Sequence, residues 1–194
     1  MQTFEQARTE LAAFLRQHSV FHGDFTLSSG AKSSVYVDCK LTTYHAKGAW
    51  LVGNVMYQLI RQQQEALGVK VDGVGGLTMG ADPIALAIGM ASYKANESAP
   101  LSVFSVRKTP KAYGQTKLIE GNFRKGDSVV VLDDVVTRGE STLKAIDAVL
   151  QEGGKVAFIA VLVDREEGGR DKIAARGFPV VAAFNRAEIF ANLT

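Results

Sequence analysis

Residues 129–142 read VVVLDDVVTRGEST, and this stretch decides the fold. Its first four residues are all apolar, which is typical of a central parallel strand that is covered by helices on both faces. Asp133 and Asp134 follow directly, and a short turn then leads into a helical pattern. Because ligands bind at the carboxyl ends of the strands in open α/β sheets, the stretch predicts a parallel α/β fold with a ligand site at one edge of its sheet.

The turn at residues 137–142 favours a phosphate ligand. Small and hydroxylic residues there aim backbone N–H groups at one point, and the N-terminus of the following helix adds partial positive charge. The two aspartates cannot bind phosphate directly because like charges repel, but they can accept hydrogen bonds from sugar hydroxyls or approach an anion through a metal ion. A sugar between a terminal phosphate and a metal-bound second phosphate would suit both halves. The alternative is that these residues only cap a turn and a helix.

Strand and helix patterns alternate along the rest of the chain, which predicts an α/β sheet. One helix is predicted over residues 46–64. Another is predicted to begin with Asp82 as its N-cap and Pro83 at its first position. The predicted strands of the sheet are residues 71–75, 101–106, 128–132, 156–163 and 180–184.

The N-terminal part has a different pattern. Thr3 and Gln6 have the spacing of a capping box, which predicts the start of a helix. Residues 25–38 alternate apolar and polar side chains around a Ser-Ser-Gly turn at residues 28–30, which predicts a hairpin. We therefore expect a small N-terminal unit, over about residues 1–45, within a single domain that covers residues 1–194.

One long polar segment interrupts the alternation. Residues 107–126 read RKTPKAYGQTKLIEGNFRKG, with three glycines and one proline among many charged residues. An irregular segment of this length inside a compact domain is usually functional or disordered. We expect a flexible loop here.

Composition limits the possible partners and compartments. The chain of 194 residues is 46% hydrophobic and has a formal net charge of +2, with neither a basic stripe for nucleic acid nor an apolar run of the roughly 18 residues that a membrane span needs. Cys39 is the single cysteine, so no intramolecular disulfide can form. A reducing, cytoplasmic location with no nucleic-acid or membrane partner is expected.

The residues after the apolar strand carry a family resemblance. Two acids, two apolar residues and then Thr-x-Gly-x-Ser resemble the phosphoribosyl pyrophosphate (PRPP) signature of type I phosphoribosyltransferases. Other segments resemble the orotate phosphoribosyltransferases more specifically, in order from about residue 20 to about residue 170. These are the FTLSSG and YVD of residues 25–30 and 36–38, the GGLTMGADP of residues 75–83, the cationic loop ending in IEG at residues 107–121, and the DREEGG of residues 164–169.

The resemblance implies a Mg²⁺-dependent transfer of a phosphoribosyl group from PRPP to orotate, with the ion held mainly by PRPP and water. It implies a homodimer in which the loop of one subunit closes over the site of its neighbour. Arg107, Lys108 and Lys111 would be catalytic, because their charges would neutralise the departing pyrophosphate. The resemblance assigns PRPP binding to Arg107, Lys108, Lys111, Tyr113, Asp133, Asp134, Val135, Val136, Thr137, Arg138, Gly139, Glu140 and Ser141.

Orotate binding is assigned to Thr137, Arg165 and Lys32. Arg165 follows the predicted strand at residues 156–163, where its guanidinium can bind the orotate carboxylate through two hydrogen bonds. The alternative for Arg165 is a surface ion pair with a neighbouring glutamate, and the alternative for the loop cations is a solvated run of charge.

Some residues depart from the family pattern. Tyr113 stands where the family loop usually has histidine, Arg138 and Glu140 replace smaller residues in the turn, and Met79 lies where many members have lysine. Two other functions stay open: a phosphoribosyltransferase for another base, and a PRPP-sensing homologue without catalysis. A dinucleotide enzyme using the GVGGLT of residues 73–78 is disfavoured, because the third glycine of its motif is missing.

Overall fold

A computed structural model of the protein describes residues 3–26, 32–109 and 117–190. The helices are α1 (Phe4–Ser19), α2 (Lys40–Thr43), α3 (Ala46–Leu67), α4 (Ala81–Ala95), α5 (Glu140–Gln151), α6 (Gly169–Ala174) and α7 (Arg186–Phe190). The strands are β1 (Val20–Thr26), β2 (Lys32–Val37), β3 (Gly73–Leu77), β4 (Ser102–Val106), β5 (Ile119–Gly121), β6 (Ser128–Val136), β7 (Lys155–Asp164) and β8 (Val180–Asn185).

The main sheet has six strands in the order β5-β4-β3-β6-β7-β8. All neighbours are parallel except β5, which pairs antiparallel with β4 at one edge. β1 and β2 form a separate antiparallel pair. The α/β fold predicted from the sequence, a mainly parallel sheet flanked by helices, is confirmed.

The side chains of β6 alternate between two hydrophobic cores. Val130 and Leu132 pack into the core formed with α1, α3 and α4. Val129 and Val131 pack into the core on the other face, with α5 and α6. Both faces of the strand are therefore buried, as the unbroken apolar run predicts. This burial fixes the position at which β6 delivers its terminal residues.

The N-terminal predictions are confirmed in outline. The capping box is present: the Gln6 backbone N–H donates to Thr3 Oγ1 at 3.3 Å, and the Thr3 N–H donates to Gln6 Oε1 at 2.9 Å. The hairpin begins at Val20 rather than at Phe25, since Val20 pairs with Val37. Its predicted turn at residues 28–30 lies outside the described residues.

The predicted start of the helix at Asp82 is wrong. The N-cap of α4 is Gly80, so Asp82 is the second residue of the helix. Its carboxylate accepts a hydrogen bond of 2.7 Å from the Ser105 hydroxyl on β4. Asp82 therefore links the first turn of α4 to the neighbouring strand, a long-range contact that the local pattern of residues 82–83 does not reveal.

The segment predicted as a flexible loop at residues 107–126 contains β5. Phe104 pairs with Gly121 and Val106 with Ile119, and the Arg107 N–H donates to the Leu118 carbonyl at 2.8 Å. The two described ends of the segment are thus hydrogen-bonded to each other. Residues 119–121 of the segment therefore form the outermost strand of the sheet.

No helix in the described ranges combines the length and the apolar character that crossing a bilayer requires.

Candidate active site

A cleft of about 860 Å³ opens where β3, β6 and β7 end. Leu77 ends β3, Thr137 follows β6 and Arg165 follows β7, and all three line the cleft. Tyr36 and Val37 of the hairpin line it as well. The cleft lies at the carboxyl edge of the sheet, where the strand pattern predicts a ligand site.

The phosphate turn, residues 137–141, is fixed by close backbone packing. Gly139 is the N-cap of α5 and has a φ of 76°, a left-handed conformation that favours glycine. The Thr137 carbonyl accepts a hydrogen bond of 2.8 Å from the Gly169 N–H. A Cβ at residue 139 would lie 3.0 Å from the Gly169 carbonyl oxygen, so a larger residue is disfavoured on two grounds.

The N-terminus of α5 is suited to an anion. No side chain caps it, and the first N–H groups of a helix lack partners within the helix. Glu140 and Ser141, the first two helical residues, line the cleft. The backbone groups and the partial charge of the helix therefore point toward the same space as the Thr137 side chain.

Asp133 stabilises this turn from its buried side. Its carboxylate is buried, and Oδ2 accepts hydrogen bonds from the Ser141 hydroxyl at 2.7 Å and the Thr142 hydroxyl at 2.6 Å. Burial raises the pKa of the Asp133 carboxyl to about 6, although the two hydroxyls act to lower it. Asp133 therefore ties the end of β6 to the first turn of α5.

Asp134 is placed differently. Its side chain is half-buried beside Gly80, and a Cβ at residue 80 would collide with the Asp134 carboxylate. Among the described residues, no group of three or more histidine, cysteine, aspartate and glutamate side chains is placed to hold a metal ion.

Arg165 places a nearly buried cation in the cleft. Its backbone N–H donates to the Val136 carbonyl at 3.0 Å, and its side chain is only 11% exposed. Nη2 lies 2.7 Å from Glu167 Oε1. The buried Nε finds no acceptor among the described residues. An arginine that lines a cleft is well placed to bind a carboxylate.

Comparisons with known proteins agree with this geometry. The family model of the phosphoribosyl transferase domain matches residues 52–187. The orotate phosphoribosyltransferase of Aquifex aeolicus is 42% identical over 185 residues, which cover 94% of this chain and 97% of that protein. The chain belongs to the orotate phosphoribosyltransferase family.

Solved structures of this family share the fold. A crystal structure of the Mycobacterium tuberculosis orotate phosphoribosyltransferase has a TM-score of 0.80 and 39% identity, covering 94% of this chain and 98% of the other. A structure of the same mycobacterial enzyme in complex with PRPP has a TM-score of 0.74 and 32% identity, covering 94% and 91%. The fold and the family identified by resemblance are confirmed.

The other residues to which the family resemblance assigns a role lie in different parts of the structure. Lys108 lines the cleft. Arg107 lies 3.7 Å from Glu120 across the β4–β5 pair, and Lys32 donates to the Thr26 hydroxyl at 3.0 Å. Lys111 and Tyr113 lie outside the described residues. The roles assigned to all these residues stay predictions. The cleft does bring together Lys108, Val135, Thr137, Arg138, Gly139, Glu140, Ser141 and Arg165.

Six residues of the cleft are absent from the assignments that the family resemblance gives: Thr26, Tyr36, Val37, Leu77, Lys144 and Glu167. Tyr36 stands in the quoted YVD segment and Glu167 in DREEGG, so the motifs contained them without indicating their orientation. Lys144 follows Glu140 by four residues, and helical side chains at this spacing share a face and lean toward the N-terminus. That spacing was the available signal for Lys144.

Proposed function

We propose that this protein transfers the phosphoribosyl group of PRPP to orotate, giving orotidine 5′-phosphate and pyrophosphate. The observation that carries the choice of base is Arg165, a nearly buried guanidinium that lines the cleft and whose Nε has no acceptor within the described ranges. A neutral base has no carboxylate to pair with this cation. A base with a carboxylate next to the attacking nitrogen would satisfy it.

The phosphate turn supports the other half of the proposal. The N–H groups at the start of α5 and the Thr137 hydroxyl would hold the 5′-phosphate of PRPP. Asp134, which is more exposed than Asp133, would accept hydrogen bonds from the ribose hydroxyls. The sugar would then lie between the turn and Arg165, with its anomeric carbon facing the base.

Positioning and charge would supply most of the catalysis. Positive charge develops on the ribose as its bond to pyrophosphate breaks, and the attacking nitrogen of orotate closes on the same carbon. Lys108, together with Arg107 and Lys111 once the loop closes, would stabilise the negative charge of the leaving group. Magnesium would neutralise phosphate oxygens when it enters with PRPP, held mainly by PRPP and water with Asp134 available through a water.

A spectrophotometric assay tests the function. Orotate consumption is measured with PRPP and Mg²⁺, beside parallel reactions with uracil, hypoxanthine and adenine. We expect turnover of orotate alone, and none after chelation of the metal. If a purine or uracil reacted and orotate did not, the proposed base would be wrong, but the proposed transfer of a phosphoribosyl group would stand. Binding of PRPP without any turnover would favour a sensing role.

A homodimer is part of the proposal, and an apolar surface on α3 and α4 supports it. Trp50, Leu86 and Met90 are 53%, 59% and 73% exposed. They line a depression of about 450 Å³ between the two helices, together with Tyr44. Grouped exposed aromatic and aliphatic side chains are typical of subunit interfaces. A second copy of this chain is the occupant that the family resemblance implies.

Two leucine substitutions test the interface. Leu86→Glu should convert the dimer to a monomer in sedimentation or light-scattering measurements, because it buries a charge in the proposed contact. Leu150→Glu is the matched control, since Leu150 is also an exposed leucine, 43% exposed, but lies at the end of α5. A monomeric wild-type protein, or equal loss of assembly in both variants, would contradict the assignment of this surface.

Mixed dimers test whether the loop acts across the interface. Lys108→Ala/Lys111→Ala chains are mixed with Asp134→Asn/Arg165→Ala chains, each nearly inactive alone. In a shared site, one site of every mixed dimer carries both defects and the other carries none. Random mixing should then restore roughly a quarter of wild-type activity. No recovery would place the loop over the site of its own chain.

We also propose that the enzyme works in the cytoplasm. Cys39 is the single cysteine and is fully buried as a free thiol, which suits a reducing compartment. Fractionation of cells that produce the protein, followed by assay of each fraction, tests this location.

A further inference from the structure

The ion pair between Arg165 and Glu167 joins side chains with unequal freedom. The Arg165 side chain is 11% exposed, whereas that of Glu167 is 29% exposed. The arginine is also anchored at its backbone, through the hydrogen bond to the Val136 carbonyl. Glu167 can therefore turn into solvent at little cost, while Arg165 cannot leave the wall of the cleft without losing its packing.

The guanidinium edge used by Glu167 is only half occupied. Nε and Nη2 lie on the same edge of an arginine, and a carboxylate placed there normally bonds to both. Here Nη2 contacts Glu167 Oε1 at 2.7 Å, while the buried Nε has no acceptor among the described residues. A buried donor without a partner costs free energy, so this edge is suited to a better-placed carboxylate than the one it holds.

We propose that Glu167 is a displaceable carboxylate, which occupies Arg165 in the empty cleft and yields it to the carboxylate of the incoming base. This inference rests on the proposed function, because it takes orotate as the base. The exchange replaces one anion by another, so the nearly buried guanidinium keeps a charged partner before and after binding. No covalent bond changes, and Glu167 moves to solvent with its charge intact.

The exchange makes the affinity for an anionic base depend on Glu167. An anionic base satisfies both Nε and Nη2 and displaces Glu167. A neutral base of the same size cannot displace it, and meets a cleft in which Arg165 is already neutralised. Glu167 therefore lowers the affinity for a carboxylate-bearing base, which has to displace it, and leaves the affinity for a neutral base unchanged. The opposite role would be a fixed brace that holds Arg165 in the orientation that orotate needs.

Glu167→Gln separates these two roles, because glutamine keeps the shape of glutamate and removes its charge. If Glu167 is a competitor, the KM for orotate should fall about twofold to fivefold, the effect expected from losing a partly exposed ion pair. The kcat and the KM for PRPP should stay unchanged, and uracil should gain nothing. A higher or unchanged KM for orotate would overturn the inference in favour of a brace or a bystander.

Glu166→Gln is the matched control, since it makes the same charge change one residue away. Glu166 is exposed, and its backbone N–H bonds to Asp164 at 2.9 Å. A similar fall in KM in this variant would mean that general charge, and not the contact with Arg165, causes the effect. In an Arg165→Ala background, Glu167→Gln should have no further effect on the KM, and an undiminished effect there would also overturn the inference.

The proposed function is tested separately by the wild-type protein in the same experiment. A wild-type protein that does not convert orotate removes the function and the inference together. A wild-type protein that converts orotate, with a KM that Glu167→Gln does not lower, removes the inference alone. Thermal unfolding of each variant confirms that it is folded, and Glu167→Ala, which also removes the carboxylate, should lower the KM in the same direction.

Discussion

Two neighbouring strand ends form the cleft, and they are built in different ways. The phosphate turn after β6 is fixed by its own parts: Asp133 holds two hydroxyls of α5, and the Thr137 carbonyl holds the Gly169 N–H. The segment after β7 instead keeps Arg165 in a pair with the more exposed Glu167, and no acceptor for Nε lies in the described part of the chain. The first end is complete without ligand, whereas the second has a partner that a ligand can replace.

The difference suits the groups that each end would bind. A phosphate can be held by backbone N–H groups whose position the fold determines, so rigidity carries no loss of selectivity. A base must be told apart from similar bases, and a charged contact that a neutral base cannot make discriminates more sharply than shape does. Substitutions at the two strand ends should therefore change different quantities: the KM for orotate after β7, and the stability of the fold after β6.

The largest effect is expected from Arg165→Ala. Loss of a charge-assisted bidentate contact is worth about 1.5–3 kcal/mol, so the KM for orotate should rise roughly tenfold to a hundredfold while the KM for PRPP changes little. Arg170→Ala is the control, because Arg170 is a 53% exposed arginine five positions later that does not line the cleft. Steady-state kinetics with each substrate varied decide the point, and equal effects on both KM values would show that Arg165 is structural.

At the phosphate turn, Thr142→Val should reduce stability rather than discrimination. It removes a buried hydroxyl that donates to Asp133 at 2.6 Å, and a buried acceptor that loses a partner costs about 1–3 kcal/mol. Denaturant unfolding measures the change. Thr9→Val, at an exposed hydroxyl that bonds within α1, should lose much less. A stable Thr142→Val protein with a raised KM for orotate would erase the contrast between the two ends.

Asp133 should give the turn a distinctive pH dependence. Its folded-state pKa of about 6 lies above the ordinary 3.8, so the folded protein binds this proton more tightly than the unfolded chain does. The contribution of Asp133 to the free energy of unfolding is then largest below the unfolded pKa and decreases as the pH rises toward 6, by at most about 1.4 kcal/mol per pH unit. Above the folded pKa it is constant.

Asp133→Asn isolates this contribution. Unfolding of the ligand-free wild type and variant is followed from about pH 4 to about pH 7. The stability of the wild type relative to the variant should decrease as the pH rises through this window. Asp171→Asn, at an exposed carboxylate on α6, serves as the comparison for the loss of one carboxylate. A wild-type advantage that grows with pH would mean that the hydroxyls outweigh burial.

The smallest effect is expected from Lys144→Ala. Lys144 is exposed, lines the cleft and lies one turn beyond the phosphate turn on α5. Removing a solvated cation near a phosphate should raise the KM for PRPP about twofold to fivefold and weaken its dependence on salt. Lys172→Ala, at an exposed lysine outside the cleft lining, serves as the comparison. Equal responses would leave only a general effect of net charge.

The sequence predicts the main strands and the site at their ends because those features repeat locally. The run VVVL has a single satisfactory position in a sheet covered on both faces, and its neighbours pair through backbone groups that any sequence provides. The start of α4 is the counterexample. Aspartate is a residue type that often caps helices, but the Asp82 carboxylate instead accepts a hydrogen bond from Ser105, which is distant in sequence. Gly80 is the N-cap of the helix.

The sequence also does not reveal that Asp133 and Asp134 have different environments. Two adjacent acids look equivalent in a motif, but successive side chains of a strand point to opposite faces. One carboxylate is consequently buried among hydroxyls, and the other lies beside Gly80. Likewise, the motif DREEGG contains both glutamates, and only the fold shows that Glu167 contacts Arg165.

The contact between Gly80 and Asp134 affects how natural variants of this protein should be interpreted. A side chain at residue 80 would enter the volume that the Asp134 carboxylate fills, and the carboxylate would have to move aside. A Gly80→Ala allele would therefore look like a mild change in a connecting loop. It would nevertheless have the effect of a substitution at Asp134, although codon 134 still encodes aspartate. A geneticist searching for the cause in the acidic pair would find its codons unchanged.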